Sequence, residues 1–457
     1  MRTIRIGAGA GFSGDRIEPA VELVEHGRLD YLVFECLAER TIALAQQAKR
    51  KNPAGGYDPL LETRMRAVLP GCHRQGVRII SNMGAANPLA AARHVVEIAR
   101  ELGLKGLKVA ALTGDDVLEL TLAENPDLLT GRGRISDIGR ARIQSANAYL
   151  GADGIVEALG RGADVVIAGR VADPSLFLGP LIHAFGWRGD DWDLLGKGVL
   201  VGHLLECAGQ LSGGYFADPG VKPVPGLARL GFPYAEVSAD GAAVVSKVAG
   251  SGGRIDVRTV TEQLLYEIAD PSAYLTPDVT ADFSAVRLEQ IGPDAVALSG
   301  ARGRPAPDRL KISVGYLDGY VGEGQISYAG VQAVERGRLA LEIVRERLAL
   351  TGVPVEELRS ELIGVDAIFQ GAVFPASGFQ GVDCDAPPAS REVRARVAGR
   401  CASLQAARAI GAEVEALYTN GPAGGGGVSR STSAIVAIAS ALLPRDLIRP
   451  RVDMETA

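Results

Sequence analysis

The chain has 457 residues, enough for two or three domains and a large buried core. Its 47% hydrophobic and 22% charged residues are the balance of an ordinary globular protein, and its net charge of −6 argues against nucleic-acid binding, which asks for a basic stripe. The five cysteines (Cys36, Cys72, Cys207, Cys384 and Cys401) are scattered and form no C-x-x-C pair, so neither a disulfide framework nor a zinc knuckle is indicated.

Over residues 1–200, apolar strand-like runs alternate with amphipathic segments. TIRIGAG, DYLVFECL, VRIISNMG, LKVAALTG and ADVVIAGR read as strands. RIEPAVELVEHG, RTIALAQQAKR, DPLLETRMRAVLPGCHRQG and PLAAARHVVEIARELG read as helices, three of them closing at Gly27, Gly76 and Gly103. The alternation predicts an α/β domain over 1–200, a parallel sheet flanked by helices, with its site at the carboxyl ends of the strands. An α+β second domain is predicted over 201–457. Its signals are a helix with a glycine-rich end in LLGKGVLVGHLLECAGQLSGGYFADPG, β-rich runs around ADG, GSGG and LKISVGYLDGYVGEG, and helices in VQAVERGRLALEIVRERLALTG and SLQAARAIGAEVEALYT. Its glycine-rich loops are expected to close the site, and FQGVDCDAPPASRE reads as a surface loop. MRTIRIGAGAG shows no secretory leader, and SAIVAIASALL, the longest apolar run, is too short for a bilayer. A cytoplasmic location without a membrane partner is expected.

The strand exits carry the chemistry. GAGAGFSGD spells G-x-G-x-x-G from Gly9, and Glu35 ends the next strand, where a ribose-binding acid would sit. Against a dinucleotide, Asp15 directly follows the last glycine and reads as an N-cap, placing a carboxylate where a pyrophosphate would need the helix dipole. Glu35 reads better as an acid–base residue, and Cys36 beside it as either a nucleophile or packing. Asp115, Asp116 and Asp173 add carboxylates at further exits. With Glu35 they suit either proton transfer or a divalent metal, while capping is the bland alternative. Gly11, Asp15, Asn82, Asn87 and Ser175 read as substrate-binding, and Arg170 as a clamp for a carboxylate or phosphate, or as a partner of these aspartates.

Further along, His203 and Glu206 share one helix face, which suits His203 to proton transfer or to a structural role. Tyr215 follows Gly213-Gly214 and is a substrate-binding candidate. Lys247 reads as a solvated hairpin lysine. In NGPAGGGG, the backbone of Asn420, Gly424 and Gly425 offers N–H groups to an anion, but no Walker lysine is present. No tightly bound cofactor is expected.

Seven ordered motifs, GAGAGFSGD, VFECLAERT, SNMGAANP, GRVADPSLFLGP, GHLLECAGQLSGGYFADPG, TVTEQLLYEIADPSAYLTPDV and YTNGPAGGGG, together resemble the acyclic terpene utilisation family over nearly the whole chain. The resemblance implies bacterial catabolism of branched, citronellol- and geraniol-like compounds as coenzyme A thioesters, beside a biotin carboxylase. Longer family members carry a small C-terminal domain. This chain ends at VDMETA, so a separate small accessory subunit is an expected partner. The resemblance carries over no catalytic residue.

The expected function is a lyase or hydratase acting on a branched acyl-CoA or related carboxylate by acid–base catalysis, with Glu35, Cys36, Asp115, Asp173 and His203 as catalytic candidates. Glycine-rich loops would bind the thioester oxygen or coenzyme A phosphates. The alternatives are an NAD(P)-dependent oxidoreductase and a non-catalytic partner of an acyl-CoA carboxylase or of the accessory subunit. A homo-oligomer is expected.

Overall fold

A computed structural model describes residues 2–365, 367–368 and 391–457, so most of FQGVDCDAPPASRE lies outside the described residues. The chain forms two compact units, Met1–Tyr316 with Ile438–Ala457, and Leu317–Ala437.

The first unit contains the strands Thr3–Ala10 (β1), Tyr31–Phe34 (β2), Arg78–Ser81 (β3), Lys108–Thr113 (β4), Ile143–Ala148 (β5), Val165–Ala168 (β6), Pro233–Ser238 (β7) and Ala243–Lys247 (β8). Tyr274–Leu275 (β9), Thr280–Asp282 (β10), Arg287–Gly292 (β11), Ala295–Ser299 (β12) and Arg302–Arg304 (β13) follow. Arg309–Ala329 (β14) comes next. Glu357–Ile363 (β15) and Glu392–Cys401 (β16) lie in the second unit, before Gly426–Pro444 (β17) and the final strand Arg451–Thr456 (β18).

All five strands expected in the first 200 residues are present. They pair in parallel in the order β1-β2-β3-β6-β4. β2 and β6 are buried along their whole length, as apolar strands covered on both faces should be. Antiparallel strands extend this core on both sides, giving a ten-stranded mixed sheet β11-β12-β8-β7-β1-β2-β3-β6-β4-β18. The hairpin β7–β8 therefore belongs to the first sheet, through the pairing of β7 with β1, and not to a second domain over 201–457 as its sequence pattern predicts. An amphipathic hairpin announces its own turn and its buried face, but not the sheet edge it will join.

The helices of this unit are Glu18–His26 (α1), Glu39–Lys51 (α2), Leu61–Gln75 (α3), Pro88–Glu101 (α4), Leu118–Glu124 (α5), Asp153–Gly160 (α6), Asp173–Phe185 (α7), Trp192–Leu205 (α8) and Val257–Leu265 (α9). α3 ends where expected, with Gly76 in the left-handed conformation. α7 and α8 pack so closely that a Cβ on Gly202 would lie 2.5 Å from the Pro174 carbonyl oxygen. That approach sets the end of α8 beside the start of α7.

In the second unit, Ala333–Leu350 (α10) and Leu404–Asn420 (α11) pack on a sheet of order β15-β16-β14-β17. Ala340, Val344, Ile410 and Val414 belong to its core. Among the described residues, no helix is long and apolar enough to cross a membrane.

Candidate active site

Parallel register decides the first neighbours. Phe34 of β2 is opposite Ser81 of β3, so Glu35 and Asn82 leave the sheet side by side. Asn82 Nδ2 donates to Glu35 Oε1 at 2.9 Å, and Asn82 Oδ1 accepts from the Cys36 N–H at 2.7 Å. The Leu37 N–H also donates to Glu35 Oε1, at 2.9 Å. Burial, and then the charge of Asp173, push the Glu35 pKa up to about 8 against the opposing pull of Arg170 and these hydrogen bonds. Glu35 therefore holds a proton at neutral pH. Because Oε1 already accepts two hydrogen bonds, Oε2 is the oxygen left to carry it.

The exit of β6 supplies Arg170, which is 1% exposed. Its Nη2 donates to Asp173 Oδ1 at 2.5 Å, its Nη1 donates to the Leu37 carbonyl, and its guanidinium lies 4.2 Å from the Tyr149 ring centroid. Burial works against its charge, but Asp173, Tyr149 and Glu35 hold its pKa above the usual arginine value. Asp173 opens α7 and is itself raised, because burial outweighs the pull of Arg170.

The third acid comes from the end of α8. Glu206 Oε1 is 3.3 Å from His203 Nδ1, while Glu206 Oε2 is buried without a partner among the described residues. His203 Nε2 faces the Leu264 carbonyl at 3.2 Å, and a carbonyl only accepts, so Nε2 carries the hydrogen. Burial pushes Glu206 up to about 7 against the pull of His203. For His203, burial opposes the charge, but the bond to Glu206 wins and raises the imidazole. The two groups are coupled, each favouring the charged form of the other.

Glu35, Asp173 and Glu206 all line one cavity of about 650 Å³. Gly11, Asp15 and Tyr215 line it too, as does Glu267, which no sequence signal singled out. Tyr215 and Glu267 have left-handed backbones, with φ of 61° and 59°. Such conformations cost of order 1 kcal/mol or more for residues with a Cβ and gather at functional sites.

The opening glycine turn forms one wall. A Cβ on Gly11 would lie 2.5 Å from the Cys207 carbonyl carbon, so only glycine lets the turn lie against the end of α8. The Gly11 N–H is taken by Asp15 Oδ2 at 2.9 Å, which withdraws it from the role that the dinucleotide fingerprint would give it. Beneath the turn, the buried Arg64 donates to the carbonyls of Ser13 at 2.8 Å and Asp15 at 3.2 Å. One of three arginines in a helical run, Arg64 gave no hint of this clamp.

Other candidates stand elsewhere. Cys36 does not line the cavity. Its Sγ is buried 3.3 Å from Arg64 Nη1, and burial pushes the thiol pKa well above the usual range. Asp115 also lies off the lining. Its Oδ2 accepts from Asn147 Nδ2 at 2.8 Å and from the Arg170 N–H at 2.9 Å, and burial pushes it up to about 6. Asp115 therefore ties together two strand exits and does not converge with Glu35 and Asp173. Among the described residues, no group of three or more His, Cys, Asp or Glu is arranged to hold a metal ion.

Asn87 Nδ2 donates to the Pro53 and Gly55 carbonyls at 2.9 and 2.8 Å, and the Ser175 hydroxyl donates to Asp278. Both shape loops. Lys247 is buried, not solvated as expected, because its Nζ pairs with Asp294 at 3.1 Å and donates to the Ser251 carbonyl at 2.9 Å. Asn420, Gly424 and Gly425 belong to the second unit. There Arg336 donates to the Ala423 carbonyl at 2.7 Å, and the missing Cβ of Gly425 would lie 3.1 Å from the Tyr328 ring. That loop presents a carbonyl to a cation at the point where an anion cradle was expected.

The family model described as acyclic terpene utilisation family protein AtuA matches residues 4–454. No curated protein and no solved structure matches the chain. The chain belongs to the acyclic terpene utilisation family.

Proposed function

We propose that this member of the acyclic terpene utilisation family is a lyase or hydratase that moves protons with a pair of carboxyl groups, acting on a branched acyl thioester or related carboxylate derivative. The observation that carries the reading is the pairing of Glu35 and Glu206 in one cavity, each with a different hold on its proton. Glu35 is the acid, with its proton on Oε2. Glu206 is the base: it lines the cavity, its Oε2 is buried without a partner among the described residues, and His203 stands behind Oε1.

In dehydration, Glu206 takes a proton from the carbon next to the thioester carbonyl. The electron pair left behind forms the carbon–carbon double bond. The hydroxyl on the neighbouring carbon departs with the proton of Glu35, as water. Hydration is the reverse. Burial and the Asp173 carboxylate keep Glu35 protonated against the opposing pull of Arg170 until the leaving group needs the proton. A neutral thioester suits this acid-lined cavity better than a free carboxylate, because Arg170 is already committed to Asp173.

The test incubates the full chain with branched 3-hydroxyacyl-CoA and 2-enoyl-CoA thioesters in D₂O and follows mass and deuterium content. Interconversion, slowed about 100- to 10,000-fold in Glu35→Gln and in Glu206→Gln, is the expected result. A wild-type chain that neither interconverts nor labels any of these thioesters would overturn the reading.

A further inference from the structure

The first unit holds a second cleft, of about 890 Å³, which the acid–base chemistry does not use. It opens at the exit of β4. Gly114 there has φ of +106°, and a Cβ on it would collide with the Arg449 carbonyl oxygen and lie 2.9 Å from Pro450 Cα. The close approach of glycine presses the 447–451 loop against the strand exit, and β18 then starts in register, with Arg451 opposite Thr113. The effect is to set Arg449 and Arg451 on the cleft wall.

Both arginines are exposed, and among the described residues neither guanidinium has a hydrogen-bonding or ion-pair partner. Lys49 and Arg50, in the last turn of α2, face the same space. The two carboxylates at the cleft are already engaged: Asp116 accepts from Gln46 Nε2 at 3.0 Å, and Glu119 from Arg140 at 3.3 Å. Apolar side chains, Val117, Leu120 and Leu447 among them, form part of the lining. A cationic cleft with two free guanidiniums, on a chain of net charge −6, is a local feature and not the general tendency of the surface.

We propose that this cleft binds an organic diphosphate. The planar forks of Arg449 and Arg451 each match two oxygens of a phosphate, and the organic part rests on the apolar lining. The size suits such a ligand, since small-molecule sites span about 300–1,000 Å³. The proposal is independent of the acid–base reading and concerns a different set of residues.

The test is calorimetric titration of the full chain with inorganic pyrophosphate and with ADP, at matched ionic strength. Saturable binding of both is expected, tighter for ADP because its organic part reaches the apolar lining. Arg449→Gln/Arg451→Gln should weaken both by about tenfold or more. Arg449→Lys/Arg451→Lys, which keeps the charge and loses the forks, should weaken them less but measurably, and it answers the question if the glutamine variant does not fold. Glu35→Gln should bind both ligands as the wild type does. Absence of saturable binding, or wild-type affinity in folded protein of either double variant, overturns the proposal. Neither result bears on the isotope experiment, which reads the other cavity.

Discussion

Arg170 donates to Asp173 at 2.5 Å, an ion pair that ties the exit of β6 to the first turn of α7. The pair leaves the cavity without a free guanidinium from this exit; its Asp173 carboxylate adds to burial in raising the Glu35 pKa, and Arg170 opposes both. Of the two readings of Arg170, a clamp for substrate or a partner of the aspartates, the structure shows the pairing with Asp173.

Breaking that pair from the arginine side should destabilise the fold. Arg170→Met leaves Asp173 without its cation; removing one partner of a fully buried pair costs about 3–5 kcal/mol, and the loss here should be smaller, about 1–3 kcal/mol, because the Asp173 side chain is partly exposed. Urea denaturation should show this loss, and Arg170→Met/Asp173→Asn should recover part of it. If the single variant melts like the wild type, the pair does not organise the site.

Glu35 predicts a pH dependence of stability. Its folded pKa is raised from 4.5 to about 8, so the folded chain holds this proton where the unfolded chain has lost it. The stability it contributes is complete below about pH 4.5 and is lost as pH rises toward about 8. Relative to Glu35→Gln, wild-type stability should fall across that window by up to about 1.4 kcal/mol per pH unit. Parallel stability–pH curves for the two proteins would contradict the buried, protonated state.

Activity should show a narrow optimum. The rate should fall below about pH 7 as Glu206 takes up a proton, and above about pH 8 as Glu35 loses one. These are properties of coupled groups and will be read as macroscopic values. His203→Gln should move the acid limb, because it removes the group coupled to Glu206. A profile unchanged in that variant would remove His203 from the proton path.

Gly11→Ala should lose about 1–3 kcal/mol, since the added methyl meets the Cys207 backbone. Thermal melting checks it. A tolerated alanine would mean that the turn can retreat from the end of α8.

The buried thiol of Cys36 should resist iodoacetamide in the folded chain and react after unfolding. Peptide mapping reads this directly. Rapid alkylation of Cys36 in the native protein would restore it as a nucleophile candidate.

The parallel core was legible because its signals are local. Apolar runs such as DYLVFECL and ADVVIAGR, separated by amphipathic helices, report burial on both faces without reference to any distant residue. The concentration of acids and amides at the strand exits was equally legible: it includes Glu35 and Asp173, which line the cavity, and Asn82, which donates to Glu35. β5 was not legible. IQSANA carries three polar side chains, and only its pairing with β14, Ile312 opposite Ala148, makes it a buried strand. Residues 201–300 read as a new domain because a hairpin's pattern does not name the edge it joins. Which acids meet was also beyond local reading. Glu35 and Asp115 looked alike in sequence, yet one lines the cavity and the other is consumed by Asn147 and the Arg170 backbone. Glu206 reaches the cavity through the close approach of α8 to α7 at Gly202, and the raised pKa of Glu35 follows from burial beside Asp173. Secondary structure is written in short-range periodicity, whereas burial and charge proximity set the chemistry of a carboxyl group, and those exist only once the chain has folded.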